Sequence, residues 1–128
     1  MSIGISARTA IVNDATLTGL VAARVYPLVF PSQVTFPCIT YRIISGTRSP
    51  VISEQVFSTR IQFDVWSYVY ADTAAIKDAL LDLFDLADMT VSGQLIISTR
   101  ADLVFDIYSE PLKLHRAVVD ITFRHEGT

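Results

Sequence analysis

Residues 59–87 read TRIQFDVWSYVYADTAAIKDALLDLFDLA. In the first part, Ile61, Phe63 and Val65 fall on one side of an extended chain, and Arg60, Gln62, Asp64 and Trp66 on the other. Alternation of this kind marks a half-buried strand. A short YVYA connection follows, and Asp72 is placed to cap a helix, because its carboxylate accepts N–H groups that the first turn leaves unpaired. Ile76, Ala79, Leu80, Leu83 and Ala87 then recur at spacings of three and four, with Lys77, Asp78, Asp82 and Asp85 opposite them. That is one apolar stripe on one helix. A one-faced strand running into a one-faced helix predicts a two-layer core.

Working outward, Ser2–Asn13 has helical spacing in Ile3, Ala7, Ala10 and Ile11, with Ser2 or Ser6 as cap, and Asp14-Ala15-Thr16 breaks it. Leu17–Ala23 predicts a second short helix. Pro27, Pro31 and Pro37 punctuate the next segment. Proline cannot donate to a strand ladder, so this stretch is an edge strand or an ordered loop. Cys38–Ser45 alternates as a strand. Gly46–Gln55 is the longest polar interval and exceeds the two to five residues of a tight hairpin, so it reads as a protruding β-hairpin loop. Val51 and Ile52 near its tip either meet a partner or fold back onto the domain.

After the helix, Val91–Thr99 reads as a strand, Arg100-Ala101-Asp102 as a turn, and Leu103–Tyr108 as a further strand or a continuation. Glu110-Pro111 turns the chain into a last strand, Leu112–Arg124. There Val119, Ile121 and Phe123 mirror Ile61, Phe63 and Val65, which makes the two strands neighbours. Asp64 with Arg124, or Arg60 with Asp120, then pairs across the polar side. The expected fold is α+β: a mostly antiparallel sheet with helices packed on one face and a long hairpin loop. The other face carries Arg42, Arg60, Gln62, Asp64, Trp66, Asp120, Thr122 and Arg124, and is expected to meet water or another copy of the chain.

The 128 residues favour one domain, residues 1–128. Hydrophobic residues make up 51% and charged residues 18%, more apolar than is usual, which leaves apolar surface for subunit contacts. The net charge of −3 without a basic stripe argues against duplex nucleic acid as a direct partner. Cys38 is the only cysteine. Its apolar surroundings read as a buried structural thiol, and its solitude fits a reducing compartment. MSIGISAR at the start has no basic-then-apolar signal pattern. No apolar run reaches the roughly 20 residues that span a bilayer.

Catalytic and metal chemistry find no constellation. His115 and His125 are the only histidines and, on one strand, stand about 33 Å apart. Asp120 and His125 fall on opposite sides of that strand, so no dyad forms. P-loop and GxGxxG motifs are absent. Asp78, Asp82 and Asp85 read as a solvated helix face rather than a cation site. The expectation is a non-enzyme without cofactor. Trp66 at the polar end of its strand is either a subunit seam or a cap on the core edge beside Tyr68 and Tyr70.

LVAARVYP (residues 20–27), FPCITY (36–41), RIQFDVWS (60–67) and the AAIKDALLDLF helix (74–84) occur in an order that resembles the small tail-terminator or tail-completion proteins of long-tailed bacteriophages. The likeness spans about residues 17–88, and the later strands share only the pattern. Cys38 stands where that family more often has a large apolar residue. The resemblance implies a homohexameric ring that caps the finished tail tube, stops its growth and presents a docking surface to the neck. It implies a tube protein below, a head–tail connector above, and DNA passing through the lumen without specific binding. Its place would be the tail and neck of the virion, assembled in the host cytoplasm. The alternatives are another neck or tube component, or a small non-viral ligand-binding α+β domain. The candidate interface comprises Arg48, Pro50, Val51, Ile52 and Glu54 of the loop, with Arg60, Asp64 and Trp66 of the sheet.

Overall fold

The computed structural model describes residues 2–48, 56–91 and 93–126. In chain order the elements are α1 (Ile3–Asn13), α2 (Ala15–Val21), β1 (Val25–Pro27), β2 (Cys38–Arg48), β3 (Val56–Ser67), α3 (Tyr70–Phe84), β4 (Met89–Val91), β5 (Gln94–Ser109) and β6 (Leu114–Glu126). The six strands form one sheet in the order β1-β2-β3-β6-β5-β4. β1 runs parallel to β2, and the other pairings are antiparallel. The α+β architecture expected from the sequence is therefore present.

Local chemistry sets the boundaries. Ser2 caps α1 by accepting from the Ile5 N–H at 3.3 Å. Asp14 ends one helix and starts the next: its N–H donates to the Ile11 carbonyl, and its carboxylate accepts from the Leu17 N–H at 3.0 Å. Of the two readings of the proline segment, β1 is an edge strand and residues 28–37 are loop. β2 and β3 run past their expected ends to Arg48 and Val56, with Arg48 opposite Phe57. These are strand arms reaching toward the hairpin tip, and residues 49–55 of that loop lie outside the described residues.

α3 departs from its expected start. Val69 is the N-cap and contributes no side-chain cap, while Asp72 lies inside the first turn. Its carboxylate accepts instead from the Ser67 hydroxyl at 3.3 Å, and it still suits the positive end of the helix dipole. The helix also stops at Phe84, before Ala87. Leu86 takes a left-handed φ of 52°, and the departing chain is pinned to β5. The Leu86 N–H donates to the Thr99 carbonyl at 3.0 Å, and the Thr99 N–H to that of Ala87 at 2.9 Å.

Of the two readings of Leu103–Tyr108, continuation of the strand holds, and residues 100–102 form a bulge rather than a turn. β5 continues to Ser109 with a register shift between Ala101 and Leu103 against β6. An extra residue bends and twists a strand without ending it. The Asp102 carboxyl is held below its ordinary value, chiefly by the Thr122 hydroxyl donating to it and then by Arg100.

The core lies between the three helices and one sheet face. The strand pattern read from the sequence holds: Ile61, Phe63 and Val65 are fully buried, opposite Ile121, Val119 and Ala117. Phe63 stacks on Phe84 at 5.5 Å, and Phe84 meets Phe123 edge-on at 5.1 Å. At the hairpin end this face closes with polar groups. The buried His125 ring meets the Thr59 hydroxyl at 2.8 Å, Gln94 donates to the Glu126 carbonyl at 2.9 Å, and the Ser6 hydroxyl donates to Gln94. This links α1, β3, β5 and β6 through groups that all find partners, as buried polar atoms must.

Cys38 is fully buried. Burial pushes its thiol up to about 12, with Arg24 pulling weakly the other way. Because the thiolate is the reactive form, the folded protein is expected to react with a disulfide-exchange reagent at pH 8 at least about a hundredfold more slowly than the unfolded chain. Equal rates in native buffer and in denaturant would contradict this burial.

Candidate functional site

The second face of the sheet is built from the even-numbered residues of β3 and β6. Cross-strand rows run Arg42–Gln62–Asp120–Leu103, Thr40–Asp64–Val118–Phe105 and Cys38–Trp66–Arg116–Ile107. This face was expected to meet water or another copy of the chain; its centre is instead covered by the chain itself. Asp64 is 7% exposed, Asp120 1% and Val118 1%. Long side chains and the 28–37 segment cover it. Phe30 packs edge-on against Trp66 at 5.4 Å and against Phe36 at 5.3 Å, and Phe36 against Tyr68 at 5.0 Å.

Two buried carboxylates organise this face. Arg60 donates to Asp120 at 2.5 Å, one of the two pairings foreseen. Asp64 pairs with Arg116 at 3.2 Å rather than with Arg124, and also accepts from Gln62 at 3.0 Å. The reason is register: Arg116 stands opposite Trp66, one row from Asp64, while Arg124 stands opposite Ser58. The Arg116 guanidinium lies over the Trp66 ring at 5.1 Å, and the indole N–H donates to the Thr40 hydroxyl at 3.0 Å. Trp66 is thus held by Phe30, Thr40 and Arg116, not by Tyr68 and Tyr70. Arg60 Nε, Arg116 Nε and Asp120 Oδ1 are buried without a hydrogen-bond partner among the described residues.

The other notable surface is the second half of β5. Leu103, Phe105 and Ile107 share the face of the arginines, and Val104 and Tyr108 point to the helix side. All five are exposed, by 38–47%. β4 pairs with β5 only as far as Ile96, and Asp85 takes the Ala101 N–H at 3.0 Å. Beyond the bulge, no strand of the described residues lies along the outer edge of β5. A long apolar edge of this kind is a template for pairing with another chain. Sequence reading placed the candidate interface elsewhere. The available signal was five apolar residues among the six from Leu103 to Tyr108, too many for a strand with a wet side.

Of the sequence candidates, Arg60, Asp64 and Trp66 come together on one face. Arg48 ends β2, and Pro50, Val51, Ile52 and Glu54 lie outside the described residues. Among the described residues no group of three or more His, Cys, Asp or Glu side chains is placed to hold a metal ion. No helix is long and apolar enough to cross a membrane. The arrangement offers contact surfaces.

Comparison with known proteins agrees with that character. Residues 7–126 match the family described as tail completion protein gp17. No curated protein matches the chain. Among solved structures, a chain from the virion of a native gene transfer agent particle superposes with a TM-score of 0.82 at 17% identity, covering 98% of this chain and 96% of that one. At that identity the likeness speaks for the fold.

Proposed function

Because this chain belongs to the tail completion protein gp17 family, a family of structural tail proteins, we propose that it caps the tail tube as a homohexameric ring. The ring ends tube polymerisation and offers the neck a docking surface. It sits on the tube protein below and meets a head–tail connector above, in a virion assembled in the host cytoplasm. It does no covalent chemistry: a ring that covers the growing end and lacks the tube's next binding site stops growth by geometry alone.

The observation that most supports this reading is the unpartnered apolar edge of β5, in a chain whose opposite sheet edge carries only a three-residue strand, β1. A closed ring needs heterologous contacts, in which one surface of each subunit meets a different surface of the next. Two unlike, incompletely covered edges on opposite sides of one sheet leave this subunit open to unlike partners, the neighbour, the tube and the neck among them. The hairpin around residues 46–55, with Arg48, Pro50, Val51, Ile52 and Glu54, is assigned to contacts with the neighbour, tube or neck. A net charge of −3 lets DNA pass the lumen without lasting attachment.

The test is electron microscopy of tails assembled with and without the protein. Tails that overgrow in its absence and regain uniform length when it is supplied are the expected result. Tails of normal length without it would exclude termination. Filaments rather than rings of the purified protein would favour a tube component.

A further inference from the structure

The charges of this molecule are sorted by layer. On the helix layer, Asp78, Asp82, Asp85 and Asp88 are all exposed. Its two basic groups are occupied: Lys77 is paired with Asp106, and Arg8 donates to the carbonyls of Val25 and Ala23. The far face of the sheet carries Arg42, Arg60, Arg100, Arg116 and Arg124. The carboxylates of that face at Asp64 and Asp120 are buried, and the exposed Asp102 is paired with Arg100 at 2.8 Å, whereas Arg42 and Arg124 are exposed and make no ion pair among the described residues. What water sees is therefore an acidic helix layer and a basic sheet face, separated by the sheet.

The acidic layer also has a receptor shape. Asp14, Thr16, Ala79, Asp82 and Leu83 line a cleft of about 180 Å³ where α2 starts beside α3. Its rim holds two carboxylates and a hydroxyl, and Ala79 and Leu83 supply apolar wall. A guanidinium wants planar oxygen acceptors while its stem wants apolar surface. Only two carboxylates meet here, which suits an arginine better than a divalent cation with its six or more oxygen ligands.

We propose that the basic sheet face of one copy docks on the acidic helix layer of the next, seating an arginine in the Asp14/Asp82 cleft. The occupant is a second copy because the chain itself carries the complementary face, out of its own reach across the sheet. The same head-to-tail contact brings Leu86, 83% exposed beside Asp85, to the side of a neighbour that bears the Leu103/Phe105 strip. Charge sets the direction of stacking, and the apolar strip supplies non-directional attraction. This inference rests on the ring reading and specifies its seam.

The test uses charge reversal on exposed positions that make no ion pair or side-chain hydrogen bond among the described residues. The Asp78→Lys/Asp82→Lys and Arg42→Glu/Arg124→Glu proteins are measured alone and mixed, by light scattering and microscopy in low salt, with circular dichroism to establish that each is folded. The parent is expected to form rings that weaken as salt rises. Each variant alone places like charges at the seam, and its self-association is expected to fall at least about a hundredfold, in line with the cost of like-charge juxtaposition. An equimolar mixture is expected to re-form rings with the two variants alternating. If single variants form rings as the parent does, the seam is wrong and the ring stands. If the mixture makes open filaments, the seam stands and the ring falls. A mixture that stays monomeric overturns the seam, and a parent that is monomeric at every concentration overturns both.

Discussion

Phe63→Ala is expected to remove about 3–5 kcal/mol of stability and to lower the melting temperature by roughly 10–20 °C for a chain of this size. Phe63 is fully buried at the centre of β3, stacked on Phe84 from the helix layer and within 6.4 Å of both Tyr41 and Phe123. It touches both neighbouring strands and the helix, so no single element can move to fill the space. A cavity that cannot collapse places a substitution at the costly end of its range. Phe63→Leu keeps most of the volume and is expected to cost less than half as much, while losing the ring stacking on Phe84. Denaturant titration of the three proteins checks this. An alanine variant within 1 kcal/mol of the parent would mean that the layers do not meet at this residue.

The second large effect is expected at Arg116. Arg116→Ala leaves Asp64, 7% exposed, without its ion-pair partner and takes the guanidinium off Trp66. Breaking a buried pair from one side costs about 3–5 kcal/mol, because the remaining charge stays desolvated. Gln62 still donates to Asp64 at 3.0 Å, which brings the expected loss to about 2–3 kcal/mol. The reverse change, Asp64→Asn, is expected to cost clearly less. The Arg116 side chain is 27% exposed and its head can turn to water when the carboxylate is gone. The asymmetry is the informative quantity, read by denaturant midpoints of the two variants. Equal losses would mean that the pair acts as a surface ion pair, which contributes about 0–1 kcal/mol.

Much of the framework was legible because it rests on short-range periodicity. Ile61, Phe63 and Val65 against Val119, Ile121 and Phe123 identified the central pair of strands before any coordinate, and those strands do lie side by side. The prolines forecast an edge strand or an ordered loop, and the segment supplies both, β1 and the 28–37 stretch, while Gly46–Gln55 forecast a long hairpin between β2 and β3. The misses share a cause. Asp72 has a capping carboxylate, but the chain enters the helix two residues earlier, at Tyr70, where the turn from β3 delivers it. Asp102 has the composition of a turn, but β6 beside it keeps β5 extended and absorbs the extra residue as a bulge.

The candidate surface divides in the same way. Sequence by itself determined the apolar sides of β3 and β6, the hairpin that joins β2 to β3, and that the charges are few. These follow from residue type and spacing, which act over a few residues. Only the tertiary structure decided that the polar side of the sheet has a dry centre, that Asp64 belongs to Arg116, that the outer edge of β5 past residue 102 meets no strand of the described residues, and that most exposed acids and the unpaired arginines lie on opposite layers. Those facts depend on cross-strand register and on the path of the 28–37 segment. Both join residues far apart in sequence, and a shift of one position in register exchanges the two faces of a strand. The stretch from Thr59 to Ala87 holds one half of each arrangement, and its partners come from β6, β5 and the loop before β2.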